Sequence, residues 1–232
     1  RHATPAAAIV GQHGAGKSRL LSSIKTMAQQ QEMESFEIDA ANQEQILKLG
    51  EICEQAQERV ETQAIFIENL HLLFDDITSS SQTKAALSAL HRLIKQLQLQ
   101  QRIADSQTGK FFLCFSYDNS SEDWQENLKK LGFNDTVLTT IELQNFSENE
   151  LGEYLKNLLG EQPENSVIQS LKSATDGNPL FITEQLEQMI SCGKLFTLAG
   201  RPDAQTLKTL GVDFAQAHPS KSLKKSLLEI KA

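Results

Sequence analysis

The eight residues Gly11-Gln12-His13-Gly14-Ala15-Gly16-Lys17-Ser18 constrain this chain more than any other stretch. They spell G-x-x-x-x-G-K-S, and they follow Ala6-Ala7-Ala8-Ile9-Val10, a small apolar run suited to a buried strand. Leu20, Leu21, Ile24, Met27 and Ala28 then recur at helical spacing on one face. Strand, glycine loop and helix in that order form a phosphate-binding loop. Gly11 and Gly16 permit the tight turn that points backbone N–H groups inward, and the new helix aims its positive end at the same place. Lys17 is expected to reach the outer phosphates, and the Ser18 hydroxyl to hold Mg²⁺.

A parallel sheet must surround such a loop, and the downstream pattern provides one. Strands are expected at 6–10, 36–39, 64–68, 111–116 and 138–143. Between them, Ile46, Leu49, Cys53, Ala56 and Val60 mark one helix, and Leu87, Leu90, Ile94 and Leu97 another. The expected fold is α/β: a P-loop NTPase core with a five-stranded parallel sheet and helices on both faces, over residues 1–145. Thr78 to Gln82 and Gln100 to Gly109 read as loops.

After residue 145 the strand signals stop. Ser147-Glu148-Asn149-Glu150 is a capping box, and Leu151, Tyr154, Leu155 and Leu158 follow it at helical spacing. Val167, Ile168 and Leu171 mark the next helix, which Asp176-Gly177-Asn178-Pro179 stops before starting another. A helical lid is expected over 146–192. In 193–232, Leu195 to Leu198 reads as a strand and 220–230 as a helix.

Composition narrows the class. Hydrophobic residues are 39% and charged residues 22% of the 232, as in soluble globular proteins, and no apolar run approaches the ~18 residues of a membrane span. With no signal peptide pattern, the expected location is cytoplasmic. The net charge of −8 argues against a general nucleic-acid coat. Cys53, Cys114 and Cys192 form no C-x-x-C, which suits a reducing compartment and offers no metal site. The chain opens at Arg1 without Met and reaches the loop within ten residues, so it reads as a piece of a longer protein.

The metal side of the site needs a carboxylate at the end of a neighbouring buried strand. Glu68, closing Ala64-Ile65-Phe66-Ile67-Glu68, is that candidate. Hydrolysis also needs a group that orients water. The next position is Asn69, whose amide can orient water but is a poor proton acceptor. Glu68 and Asn69 are the candidate catalytic pair.

At this point the chain resembles the STAND ATPases, signal-transduction NTPases related to AAA+ proteins. The loop and its continuation Arg19-Leu20-Leu21 are similar to their GxxGxGKSRLL, most of all in the group attached to nucleotidyl cyclases, protein kinases and LuxR/MalT-like regulators. Glu68-Asn69-Leu70-His71 resembles that group's acid-Asp-Leu-His box. Ile141 to Glu150 resembles its approach to the lid, and Gly177-Asn178-Pro179-Leu180-Phe181 its GNPLF motif. From the residues themselves the loop is expected to contact the nucleotide, and Arg19 either to touch phosphate or to salt-bridge on its helix. The resemblance implies that Pro179 lies against the base. It implies ATP or ADP with Mg²⁺ between core and lid, sensor and effector domains in the same longer chain, and self-association on ATP binding. It also implies that residues 193–232 begin a winged-helix domain or linker.

Two departures stand out. Asn69 replaces an expected acid, and Asp118 stands where relatives often carry Arg. Hydrolysis is therefore expected to be slow or absent, and Asn69→Asp to raise it. His13 reads as solvated, His71 as packed or capping, and the tail lysines Lys221, Lys224, Lys225 and Lys231 as a solvated face. The leading expectation is a nucleotide-dependent signalling switch, with nucleic acid not expected as a partner. The alternatives are an AAA+ ATPase acting on DNA and a nucleotide-binding scaffold without turnover. Asn127 to Val137, where a ring ATPase usually carries an arginine finger, holds no Arg.

Overall fold

The computed structural model describes residues 4–58, 63–74, 81–102, 111–120, 123–160 and 162–191. The chain separates into two compact units, Arg1–Leu143 and Gln144–Ala232.

The first unit holds five strands: β1 (Ala6–Gly11), β2 (Glu34–Asp39), β3 (Gln63–Glu68), β4 (Phe111–Asp118) and β5 (Leu138–Leu143). They form one parallel sheet in the order β2-β3-β4-β1-β5. Among the described residues, four helices connect them: α1 (Lys17–Gln30), α2 (Gln43–Glu58), α3 (Ser81–Arg102) and α4 (Trp124–Lys130), with a 3₁₀ turn at Leu70–Leu73. Alternation along the strands builds a core on each face. Ala6, Ala8 and Val10 of β1 join Ile65, Ile67, Leu113 and Phe115 against Leu49 of α2 and Leu90 of α3. Ala7 and Ile9 turn the other way, joining Ala64, Phe66 and Cys114 against Leu21 and Ala28 of α1.

The α/β P-loop fold read from the sequence is the fold observed. Details differ. Met27 is 64% exposed, because the face of α1 that meets the sheet is only wide enough for Leu21, Ala28 and the half-buried Leu20 and Ile24. The third helix is longer than expected: Ser81–Gln82 and Gln100–Arg102, read as loop, belong to α3. Its buried stripe of Ala86, Ala89, Leu90, Leu93, Ile94 and Leu97 carries the polar ends along. Val60, Thr78 to Ser80 and residues 193–232, with their expected strand, helix and winged-helix start, lie outside the described residues. None of the described helices is long and apolar enough to cross a membrane.

The second unit packs α5 (Glu148–Leu159), α6 (Asn165–Thr175) and α7 (Pro179–Ser191) around Leu151, Leu155, Val167, Leu171, Ile182 and Leu186. Its first helix starts on the expected capping box. Ser147 Oγ accepts from Glu150 N, and the Ser147 N–H donates to the Glu150 carboxylate at 2.8 Å. That bond and the Ser147 hydroxyl hold the exposed Glu150 carboxyl below the usual range.

Candidate nucleotide site

Parallel strands deliver their carboxyl ends to one edge of the sheet, and the candidate residues gather there. Gly11 closes β1 opposite Asp118 on β4, and Asp39 closes β2 opposite Glu68 on β3. Gly11 must be glycine: a Cβ there would lie 2.9 Å from the Leu143 carbonyl oxygen and 3.2 Å from Ala15 Cβ. The loop then turns through Gly14 (φ 81°) and Gly16 (φ 96°), left-handed conformations that glycine adopts without penalty. Gly16 caps α1, whose first turn carries no acid to neutralise its positive end. Gln12, His13, Ser18 and Arg19 are exposed around this end, whereas Ala15 and Lys17 are buried.

Lys17 lies with its ammonium folded over the loop. Nζ donates to Gly11 O at 2.7 Å, to Gln12 O at 2.8 Å and to Asp118 Oδ2 at 3.1 Å. The side chains of this ion pair are 10% and 16% exposed. Asp118 is fixed from its other side as well. Oδ1 accepts from Ser120 N at 2.9 Å and from the Ser120 hydroxyl, while Asp118 N donates to His71 Nδ1 at 3.3 Å. Burial works to raise the Asp118 pKa. The Ser120 hydroxyl and backbone N–H, together with the charge and hydrogen bond of Lys17, outweigh it and hold the carboxyl below the usual range. His71 is packed as expected, edge-on to Tyr117 with ring centroids 5.8 Å apart.

Asn69 sits just past β3 with φ 57° and ψ 37°, a left-handed conformation that Asn tolerates better than most residues. Its N–H donates to Ser116 Oγ at 2.9 Å, and its Nδ2 donates to Asp39 Oδ1 at 3.0 Å. Asp39 is held in turn by the Ala41 N–H at 2.9 Å, and its own N–H donates to Gln45 Oε1 at 2.7 Å. Glu68 is half-buried, and its carbonyl accepts from Ala40 N at 2.9 Å. Sequence reading missed Asp39, Ser116 and Ser120. Only Asp39 left a signal, as an acid closing a strand in Phe36-Glu37-Ile38-Asp39.

The candidate residues from Gly11 to Arg19, with Glu68, Asn69 and Asp118, all belong to the first unit. Pro179 belongs to the second and is the first residue of α7. There Asn178 Oδ1 accepts from Leu180 N at 3.0 Å, and Gly177 O accepts from Phe146 N at 2.8 Å. The Gly177-Asn178-Pro179 segment thus ties the start of α5 to the start of α7.

No family model matches the chain, and neither does any curated protein sequence. Solved structures do. A chain of the E. coli HORMA:CdnC:Trip13 complex matches at TM-score 0.57 and 14% identity, over 94% of this chain and 75% of that one. AMPPCP-bound DnaA from Aquifex aeolicus matches at TM-score 0.55 and 15% identity, over 92% and 60%. A mutant of Thermotoga maritima RuvB matches at TM-score 0.52 and 17% identity, over 89% and 62%. The fold is an AAA+ P-loop ATPase fold. The chain spans about three fifths of the DnaA and RuvB chains it matches. Within this frame, β1, the Gly11–Ser18 loop and α1 follow one another; β4 and β5 flank β1, and β3, which carries Glu68, lies one strand beyond β4 rather than beside the loop strand.

Proposed function

We propose that this chain binds ATP or ADP with Mg²⁺ at the Gly11–Ser18 loop and works as a nucleotide-dependent switch with slow or no hydrolysis. The observation that carries the reading is Lys17: a buried ammonium seated over a glycine loop at the uncompensated N-terminus of α1. Such a loop offers backbone N–H groups, a helix dipole and one cation to phosphate oxygens. Mg²⁺ prefers hard oxygen donors, which Ser18 and Glu68 are. Among the described residues no three acidic, His or Cys side chains cluster to hold a metal unaided. The ion would therefore come with the phosphates, held by Ser18 and Glu68, and would neutralise their charge.

The switch reading adds that the second unit, with Pro179 at the head of α7, serves as the lid. It also takes the STAND-type motifs at their family value, with effector domains in the same longer chain. A ligand shifts such an equilibrium only by binding the two lid positions unequally. Titration calorimetry with ATP and ADP tests the binding, and hydrogen exchange over residues 146–191 with ADP against a non-hydrolysable ATP analogue tests the switch. Identical exchange in the two states would overturn the lid role.

One observation favours a second reading, an AAA+ ATPase acting on DNA. The chain also resembles a DnaA bound to AMPPCP and single-stranded DNA, at TM-score 0.54 and 14% identity, and the Aeropyrum pernix ORC1 protein in complex with DNA, at TM-score 0.51 and 13%. The expectation that nucleic acid is not a partner draws no support from these likenesses. Fluorescence anisotropy with labelled single- and double-stranded DNA, over a salt series, decides between them.

A further inference from the structure

The ammonium of Lys17 has three N–H donors and three protein acceptors. A phosphate oxygen can join only by displacing one of them or sharing its proton. Two of the three, Gly11 O and Gln12 O, are backbone atoms of the loop itself. The third, Asp118 Oδ2, is the longest of the three bonds and the only anionic partner.

We propose that Asp118 acts as a resident stand-in for phosphate, holding Lys17 until nucleotide displaces it and so making the site select Mg²⁺-bound over metal-free nucleotide. This rests on the nucleotide reading above and deepens it. The argument turns on what Asp118 does once Lys17 is drawn away. It cannot swing clear. Ser120 grips its other oxygen with two hydrogen bonds, His71 holds its backbone N–H, and the β1–β4 register fixes it opposite Gly11. The carboxylate therefore stays beside the phosphates as an unpaired negative charge in a half-buried place, where like charges repel more strongly than in water. A metal-free di- or triphosphate adds its full charge to that carboxylate. The Mg²⁺ complex carries two units less and meets a smaller repulsion. Arg19 is exposed on the first turn of α1, where solvent and salt screen it, so it offers little relief. Asp118 is thus a specificity-determining residue for the metal state of the ligand.

Asp118→Asn tests this, because the amide oxygen still accepts from Lys17 while the charge is gone. Calorimetry compares wild type and variant with ATP and with ADP, in excess Mg²⁺ and in EDTA. The expected result is at least ~tenfold tighter binding of metal-free nucleotide by the variant, with Mg²⁺-nucleotide affinity changed by less than about threefold. An unchanged ratio of the two affinities overturns the proposal and leaves nucleotide binding standing. No binding of either form by either protein overturns the nucleotide reading itself. If the amide variant does not fold, as read by circular dichroism, Asp118→Ser replaces it. In wild type alone, equal affinity for the metal-free and Mg²⁺-bound forms also overturns the proposal.

Discussion

Asn69 donates its side-chain Nδ2 to Asp39 Oδ1 at 3.0 Å, joining the ends of the neighbouring strands β3 and β2. This amide–acid bond reverses the expected effect of Asn69→Asp. From the sequence alone, an acid at 69 replaces a missing base. In the structure it would stand within hydrogen-bond range of the Asp39 carboxylate, and two carboxylates so close cannot both ionise freely: one pKa rises and the pair shares a proton.

Asn69→Asp is therefore expected to lose about 1–2 kcal/mol at pH 7 and to gain no ATPase activity. Because the pair's upper pKa is raised, the lost stability returns as pH falls toward 5. The exchange Asp39→Asn with Asn69→Asp restores an acid–amide pair and should recover the stability at pH 7. Asp tolerates the left-handed backbone at 69 about as well as Asn, so the backbone does not confound the comparison. Melting curves of the three proteins at pH 5 and 7 check this. Equal melting of Asn69→Asp and wild type at pH 7 would sink it.

The sheet and the loop were legible because their signals are local. Apolar runs mark strands, the glycine spacing marks the loop, and periodic Leu and Ile mark the helices. The ion pair of Lys17 with Asp118 spans 101 residues, and the Asn69–Asp39 bond spans 30. Such contacts depend on strand order, and β4 lies beside β1 although α1, β2, α2, β3 and α3 separate them in sequence. Asp118 read in isolation is a misplaced negative charge. Set opposite Gly11, it is a counter-ion. The Gly177-Asn178-Pro179 segment was legible as a helix stop and start, but the bond from Phe146 to Gly177 was not.

Lys17→Ala should abolish nucleotide binding and also cost stability. Truncation leaves Gly11 O and Gln12 O without this donor, and strands the Asp118 carboxylate in a half-buried place. A cost of about 1–3 kcal/mol is expected, with the fold retained. Combining it with Asp118→Asn should return part of that stability, since the stranded charge is then gone. Urea unfolding measures the stability and titration calorimetry the binding. Undiminished ATP affinity in Lys17→Ala would rule out the loop as the site.

Gly177→Ala should damage the second unit by its backbone alone. The position has φ 72°, and a Cβ there would lie 2.3 Å from the Phe146 carbonyl oxygen and 2.7 Å from Lys172 Nζ. The lysine can move, but the Phe146 backbone is tied to Gly177 O by a 2.8 Å hydrogen bond. A loss above ~2 kcal/mol is expected, beyond the 1–2 kcal/mol usual for a left-handed alanine. Unfolding followed by hydrogen exchange in α5 and α7 would register it. Unchanged protection there would show that the turn can relax.

The depressed pKa of Asp118 makes the first unit sensitive to acid. A carboxyl held lower in the folded than in the unfolded state contributes stability above its ordinary pKa, and that contribution disappears as pH falls through the folded value. Wild type and Asp118→Asn should therefore differ most above about pH 4, near the ordinary carboxylate value, and converge below it. Melting temperature against pH for the two proteins checks this. A constant gap from pH 7 to 3 would mean that the Asp118 carboxyl titrates alike in the folded and unfolded chain, and that Lys17 and Ser120 do not hold it low.

Turnover should be very slow, and three features of the site converge on that outcome. A well-placed base near the outer phosphate is worth roughly 10²–10⁴-fold, yet Asn69 offers an amide whose Nδ2 is committed to Asp39. Positive help of the arginine-finger type is worth ~10³–10⁵-fold, yet α4 and the turn to β5 contain lysines and no Arg between Asn127 and Val137. Asp118 then adds negative charge at the end of the strand beside the loop, where developing charge on the phosphate needs the opposite sign. Steady-state phosphate release by wild type should fall well below about one per second, toward the low end of usual enzyme rates. The Asp39→Asn with Asn69→Asp exchange is the variant expected to rise, because it moves the acid from β2 to the end of β3 and leaves an amide to steady it. A wild-type rate above about one per second would show that a base already exists. Glu68→Gln would then separate the remaining roles of that carboxylate. Lost nucleotide binding in the presence of Mg²⁺ marks a metal ligand, and lost turnover with binding retained marks the base.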